Sequence, residues 1–227
     1  MSYDDLLEDM EGSLCGRTDD CDDNVLRTVP AGREGLAELE AYWREIRGAA
    51  FLPRRRDLDA TRFASALPHA FILERVAPGI ARVRTSGQML RGHLGFEARG
   101  MPLSLLFTPE GRNRLRVWLD RCFDGPALVD LPLTAWRGAL HPPATGRLLL
   151  MPLLDHEGKV TRAVGGVFLD RAMRMSRVRF DVNEAAGVRH EKLRPAAWPV
   201  LAAAGEPRIR ELAEPRRPFL RLVVSNP

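Results

Sequence analysis

The chain has 227 residues, 45% of which are apolar, and it carries a formal net charge of +4. This length and composition predict one packed domain with flanking segments and exclude a wholly disordered chain. No apolar run approaches the roughly 18 residues that cross a membrane, and the acidic N-terminus lacks the pattern of a secretion signal. We therefore expect a cytoplasmic protein.

The charge is unevenly distributed along the chain. Residues 1–25 contain nine acidic residues and one arginine, so they carry −8 and the rest of the chain carries +12. Residues 1–32 are predicted to be an acidic flexible tail. Cys15 and Cys21 lie in this tail at a spacing that fits no zinc ribbon, and we assign them no metal or redox role.

Residues 33–48 form the first predicted helix, which ends at Gly48. A narrow apolar stripe recurs along it at helical spacing. This stripe either packs on a sheet or pairs with a second subunit, and it supplies the candidate residues of a dimer helix. These candidates are Leu36, Leu39, Trp43 and Ile46.

A connector, residues 52–69, follows this helix. Its arginine run 54–56 is interpreted as part of a solvated turn. Asp59 or Thr61 is predicted to cap a short helix that ends near Leu67.

The next stretch combines two strand patterns with a short helix. Residues 69–76 and 80–85 are predicted to form an antiparallel hairpin around a proline-glycine turn. Residues 87–94 allow a short helix, which Gly92 and Gly95 limit in length.

Thr108 and Pro109 mark the start of a longer helix that ends at residue 123. Its broad apolar face is predicted to join the core. That face contains Leu115, Trp118, Leu119, Cys122 and Phe123.

Three strands are predicted after this helix, at residues 127–136, 147–154 and 160–170. Pro132 indicates an edge or a bulge in the first of them. The glycine pair 165–166 indicates a close approach or a bulge in the last.

From residue 171 onward the chain is rich in proline and in basic residues. Residues 171–227 contain twelve basic and six acidic residues, and we expect a mostly irregular C-terminal extension that docks locally. Its arginines raise the alternative of a nucleic-acid-associated regulator, although no helix-turn-helix pattern accompanies them. A further hypothesis is that the acidic tail folds over the basic body and competes with an acidic partner.

The order helix, strand, strand, short helices, amphipathic helix and three strands resembles that of a PAS domain. The stretches that carry the resemblance are ILERVAPGIARVRTSGQML (72–90), LGFEARGMPLSLLFTPEGR (94–112) and LLLMPLLDHEGKVTRAVGGVFLD (148–170). More narrowly, residues 42–74 resemble the opening of bacterial single-domain PAS-like proteins. The resemblance implies an α+β fold at residues 33–170, in which a five-stranded antiparallel sheet carries small helices on one face.

The resemblance also implies either a ligand cavity or a filled core between the sheet and these helices. We favour an ordinary core, because apolar stripes at helical spacing are core positions first. Ligand identity and cofactor are not specified by the sequence. The candidate residues of a ligand pocket are Met89, Leu90, Leu94, Phe107, Leu115 and Trp118.

Two residues, His93 and Cys122, bear on the question of a bound cofactor. His93 is the candidate haem or metal ligand, against the favoured interpretation of a solvated histidine. Cys122 does not match the position of a flavin-adduct cysteine and is interpreted as a buried thiol.

No catalytic signature is recognisable in the sequence. We therefore expect a non-enzymatic sensory or regulatory module that acts in trans through a small ligand, a protein partner or both. A homodimer through the first helix is expected, and an enzyme with an unrecognised site is the other alternative.

Overall fold

The structure is a computed structural model that describes residues 28–29, 32–135, 143–170, 173–174 and 178–194. Its helices are α1 (Arg33–Arg47), α2 (Gln88–Leu94) and α3 (Pro109–Phe123). Its main sheet contains β1 (Ala70–Ala77), β2 (Ile80–Ser86), β3 (Ala127–Ala135), β4 (Ala144–Leu154), β5 (Val160–Leu169), β6 (Asp181–Val182) and β7 (Arg189–Lys192).

The sheet is antiparallel, and its strands lie in the order β2-β1-β5-β4-β3-β6, with β7 also paired to β3. The first five strands confirm the predicted α+β fold with a five-stranded antiparallel sheet. The structure corrects the strand count, since β6 and β7 extend the sheet beyond β3. A separate two-residue ladder joins Thr28–Val29 to Met173–Arg174.

Apolar clusters cover both faces of the sheet, because successive side chains of a strand point to opposite faces. In β4, Leu148 belongs to the cluster under α2 and α3, whereas Leu149 belongs to the cluster under α1. Both leucines are fully buried. The domain is therefore three layers deep, with α1 on the outer face of the sheet and the other two helices on the inner face.

The apolar stripe of α1 packs on the chain's own sheet. Leu39 and Trp43 are fully buried there, and Leu36 and Ile46 pack against the same cluster. The outer face of the sheet is itself apolar, so packing the α1 stripe on it removes both apolar surfaces from water. Of the two alternatives for the stripe, the structure shows sheet packing, so these four residues are not a free dimer surface.

The helix ends follow the predicted capping chemistry. The Thr108 hydroxyl accepts a hydrogen bond from the Gly111 N–H at 3.1 Å, and Pro109 occupies the first turn of α3. Gly95 closes α2 with a left-handed φ of 81°, which a glycine adopts without strain. In the connector, the Asp59 carboxylate accepts from the Thr61 N–H and starts a 3-10 helix, Ala60–Phe63.

Pro132 explains how the C-terminal strands are divided along β3. The partners of β7 run from Ala127 to Asp130, and those of β6 begin at Leu133. A proline has no N–H to give to a ladder, so the pairing is interrupted where Pro132 lies. Its carbonyl still accepts a hydrogen bond from the Asn183 N–H at 2.9 Å.

The C-terminal segment, defined here as residues 178–194, is part of the folded domain. Phe180 is fully buried, its N–H donates to the Leu106 carbonyl at 2.7 Å, and its carbonyl accepts from the Thr108 N–H at 3.0 Å. The domain boundary predicted at residue 170 therefore falls too early, because it leaves two strands of the sheet outside. The predicted acidic tail and the rest of the C-terminal extension lie outside the described residues, apart from the short ladder and Gly32.

Candidate functional site

The predicted ligand-pocket residues lie together in the inner core. All six belong to one cluster and are at most 7% exposed. Among the described residues, none of the six lines either of the two open pockets reported below. The structure thus packs these side chains against one another, as the favoured core interpretation expects. They are Met89, Leu90, Leu94, Phe107, Leu115 and Trp118.

His93 is buried, which corrects the expectation of a solvated histidine. It is 2% exposed and lies on the same face of α2 as Met89 and Leu90, four and three residues earlier. Neither ring nitrogen has a hydrogen-bond partner within the described part of the chain. Burial, with a smaller contribution from the charge of His69, lowers the pKa of His93 to about 4, so the ring is neutral at pH 7.

Cys122 is buried in the inner core, as predicted. Burial raises the pKa of its thiol to about 12. A thiol that stays protonated at neutral pH is a poor nucleophile. The side chain therefore acts as a small apolar group of α3.

An open pocket of about 500 Å³ lies on the outer side of the sheet edge. The connector forms one wall, strands β1 and β5 form the floor, and the end of β2 forms the far rim. Its lining is largely apolar, and Leu67 is 44% exposed there. This volume lies in the range of small-molecule sites, about 300–1,000 Å³. The apolar lining includes Leu58, Phe63, Leu67, Pro68, Ile72 and Val164.

The connector is held in place by polar contacts with α1. The Tyr42 hydroxyl accepts from the Asp59 N–H at 2.6 Å and donates to the Asp57 carbonyl at 3.2 Å. The Glu38 carboxylate accepts from the Ala66 N–H at 3.0 Å. The wall of the pocket is therefore positioned by α1 and not only by the loop itself.

A second pocket of about 450 Å³ continues from the first and is strongly basic. Among its described lining residues, Asp155 is the one carboxylate. That carboxylate is already used within its own turn, where it accepts from the Glu157 N–H, the Lys159 N–H and the Thr161 hydroxyl. The arginines of this pocket are Arg54, Arg55, Arg56, Arg84 and Arg162.

The arginines differ in how far they are neutralised. Arg84 and Arg162 both pair with Glu74, which lies outside the lining. Arg56 approaches Asp57 only at 3.9 Å. Within the described residues, the Arg55 guanidinium forms no ion pair or hydrogen bond. The pocket therefore keeps an excess of positive charge, centred on the arginine run of the connector.

Three residues line both pockets and join them into one site. Arg55, Ile72 and Thr85 are common to the two linings. We call the joined pockets the outer groove. One end of the groove is apolar and the other is cationic, and Arg55 lies where the two meet.

The outer groove contacts the start of α2. Ser86, Gly87 and Gln88 form its far rim and lead directly into the helix. A Cβ atom on Gly87 would lie 2.1 Å from the Leu67 carbonyl oxygen, so the connector and this rim touch at a glycine. The Gly87 N–H also donates to the Ala70 carbonyl at 2.8 Å.

The sequence missed this groove because its residues come from four separate stretches of chain. The arginine run 54–56 was interpreted as part of a solvated turn, and its side chains are indeed largely exposed. The available signal was the pattern of three adjacent cations followed by spaced apolar residues in one connector. Such a pattern indicates an amphiphilic surface, but it does not reveal the strands that complete it.

Two further observations limit the functions that the described residues support. They contain no cluster of three or more metal-ligating side chains. No helix among them is both long enough and apolar enough to span a membrane. The nucleic-acid alternative rests on the arginine-rich body and on the extension 171–227, of which the structure describes residues 173–174 and 178–194.

The sequence was compared with families of known proteins, curated proteins and solved structures. No curated protein matches the sequence. A solved light-oxygen-voltage domain, studied with a flavin analogue, is 19% identical over 48% of this chain and 82% of its own, with a TM-score of 0.36. The family model for the PAS domain matches residues 32–168, which is more than half of the sequence. With its antiparallel sheet between α1 and the inner helices, the chain belongs to the PAS domain family.

Proposed function

We propose that this chain is a sensory or regulatory module that binds a small molecule in the outer groove and signals in trans to a protein partner. The supporting observation is the contact between the connector and the start of α2 at Gly87. A ligand between the connector and the rim changes this contact. It thereby shifts α2, whose inner face carries buried core residues.

The outer groove suits this role better than the inner core does. A ligand among the six predicted pocket residues would have to displace side chains that are at most 7% exposed. Close-packed cores resist such displacement. The groove already has open volume and needs no repacking to admit a ligand.

We propose that the module is not an enzyme. The groove contains two hydroxyl groups, on Thr85 and Ser86. Within the described residues, neither is hydrogen-bonded to a histidine or a carboxylate that would act as a general base. Its polar groups are suited to recognition of a ligand.

Homodimerisation and a cytoplasmic location remain predictions. The apolar stripe of α1 packs on the sheet, so the proposed dimer contact lies on another surface. We propose the exposed side of α1 and the exposed positions of α3 as surfaces for a partner. Val117, which is 49% exposed on α3, is one such position.

Native mass spectrometry of protein purified without added ligand tests the proposal, together with a thermal-shift screen of small molecules. Thr85→Trp fills the junction of the groove from an exposed strand position, whereas Val76→Trp adds the same side chain at an exposed site outside the groove. We expect a bound ligand or a thermal shift in the wild type and in Val76→Trp, and its loss in Thr85→Trp.

Hydrogen exchange separates binding from signalling. Ligand addition is expected to slow amide exchange in α2, because the rim leads into this helix. Binding that persists in Thr85→Trp and disappears in Leu90→Ala would place the ligand in the inner core and contradict the proposal.

A further inference from the structure

We infer that the ligand of the outer groove is a small amphiphilic anion, with an apolar chain or ring and a carboxylate or phosphate group. This inference rests on the proposed function and adds the chemical class of its ligand. Three features of the groove carry it: an apolar end, a cationic end and a shared junction.

The apolar end selects a ligand with a hydrophobic body. Its floor is formed by half-buried Ile72 and buried Val164, and Phe63 closes the wall behind it. Leu67 leaves 44% of its surface open to solvent beside them. Covering this surface removes apolar area from water, which favours the complex.

The cationic end selects a negative headgroup. Five arginines line it, whereas Asp155 is the one carboxylate among its described lining residues. Glu74 pairs with two of the arginines from outside the lining. Asp155 is held by hydrogen bonds from its own turn. A carboxylate or phosphate takes a planar, two-point hydrogen bond from a guanidinium, and this geometry favours arginine over lysine.

Because the two ends share a junction, one ligand molecule can place an apolar body in one end and an anionic group in the other. Arg55 lines both ends of the groove, and within the described residues its guanidinium has no partner. Ile72 and Thr85 lie beside it in both linings. An anion seated on Arg55 therefore places its apolar body over Ile72. A purely polar anion leaves the apolar end empty, and a neutral lipid leaves Arg55 unpaired.

Three probes with the same chain and different headgroups test the inference by isothermal titration calorimetry. They are decanoate and decyltrimethylammonium, each below its critical micelle concentration, and decanol, below its solubility limit. We expect the wild type to bind decanoate at least about tenfold more tightly than decanol, and decyltrimethylammonium most weakly. Binding of decanoate is expected to raise the melting temperature, which distinguishes it from detergent-like unfolding.

Variants locate the effect. Arg55→Gln is expected to weaken decanoate binding about tenfold and to leave decanol binding unchanged. Leu67→Ser is expected to weaken the binding of both decanoate and decanol. Arg91→Gln, at an exposed arginine of α2 outside the groove, is the matched control and should bind as the wild type does.

The possible results distinguish an error in the ligand class from an error in the proposed binding site. Equal affinity for decanoate and decanol, with both lost in Leu67→Ser, overturns the anionic class and leaves the groove as a ligand site. Binding of anionic lipid vesicles without binding of monomeric decanoate also overturns the inference. If none of the probes binds, the amphiphilic class is wrong, and the Thr85→Trp comparison decides the function separately.

Discussion

The imidazole of His93 meets the ring of Phe180 edge to face, with 5.5 Å between the ring centroids and 84° between the ring planes. His93 lies on α2, and Phe180 comes from the C-terminal segment. A hydrogen bond from the Val178 N–H to the His93 carbonyl, at 3.4 Å, lies beside this contact. The inner helix nearest the groove is thus held by a segment almost 90 residues further along the chain.

The pH dependence of stability should report the burial of His93. The unfolded chain takes up a proton near the ordinary pKa of 6.5, whereas the folded imidazole stays neutral down to its pKa of about 4. The free energy of unfolding should therefore fall between pH 6.5 and 4, by about 3 kcal/mol from this group. Burial also lowers the pKa of His69, which contributes in the same direction.

The variant His93→Leu isolates this contribution. Urea unfolding at several pH values between 7 and 4.5 should give a flatter profile for the variant than for the wild type, while His69 and the carboxylates remain in both. At pH 7 the variant should be as stable as the wild type or more so, because it removes a buried polar ring without partners. Parallel profiles for the two proteins would contradict the prediction.

Phe180 should be a major source of stability although it lies beyond the predicted domain boundary. Phe180→Ala removes a fully buried ring from the inner core and should lower the free energy of unfolding by about 3–5 kcal/mol. Val117→Ala, at an exposed position of α3, should change it by less than about 0.5 kcal/mol. Chemical denaturation measures both, and a loss below about 1 kcal/mol for Phe180→Ala would show that the segment docks only loosely.

The sequence predicted the first five strands and the three helices, most clearly where a periodic pattern and end signals coincide. Thr108 and Pro109, for example, start α3 where the capping rules place it. The short strands β6 and β7 have two and four residues, too few for a periodic signal. The stretch 178–182 does alternate between apolar and polar residues, and this pattern was the available sign of a strand.

The site was harder to predict because it depends on tertiary packing. Sequence patterns identified which residues are apolar, and the six predicted pocket residues do meet in the structure. Sequence patterns could not show whether the packed side chains leave space for a ligand. The groove forms where the connector folds back over β1 and β5, and the distance along the chain from Arg55 to Arg162 hides their proximity. His93 was misplaced because its neighbouring glycines suggested an exposed helix end.

An ion pair between buried Asp130 and partly exposed Arg147 links β3 and β4, and removing the arginine should be costly. Asp130 is 5% exposed, and its carboxylate accepts from Arg147 Nε at 2.6 Å, with an Arg189 nitrogen 3.4 Å away. Arg147→Met leaves this carboxylate with the weaker partner alone and should cost about 2–3 kcal/mol. The double variant Asp130→Leu with Arg147→Met should recover most of the loss, because it removes both charges.

An exposed pair provides the control for this experiment. Arg62 pairs with Glu45 at 2.9 Å, and both side chains are more than half exposed. Arg62→Met should therefore change the free energy of unfolding by less than about 1 kcal/mol. If Arg147→Met costs no more than this control, the Asp130 carboxylate is satisfied by other groups.

Gly165 should not tolerate a side chain, because the backbone of β4 occupies the space. A Cβ atom there would lie 2.1 Å from the Leu149 carbonyl oxygen. That oxygen belongs to the β4–β5 ladder, whose register passes through Gly165 and Gly166 without a shift. Moving the oxygen away from a Cβ atom would therefore disturb the pairing of the two strands. Gly165→Ala should lower the free energy of unfolding by more than about 2 kcal/mol or fail to fold, which thermal unfolding measures.

Gly125→Ala is the control, because the space around its Cβ position is open and its φ is not positive. This variant should be as stable as the wild type or slightly more stable in the same thermal-unfolding measurement. Equal melting temperatures for the two variants would mean that β4 and β5 are further apart than the structure shows.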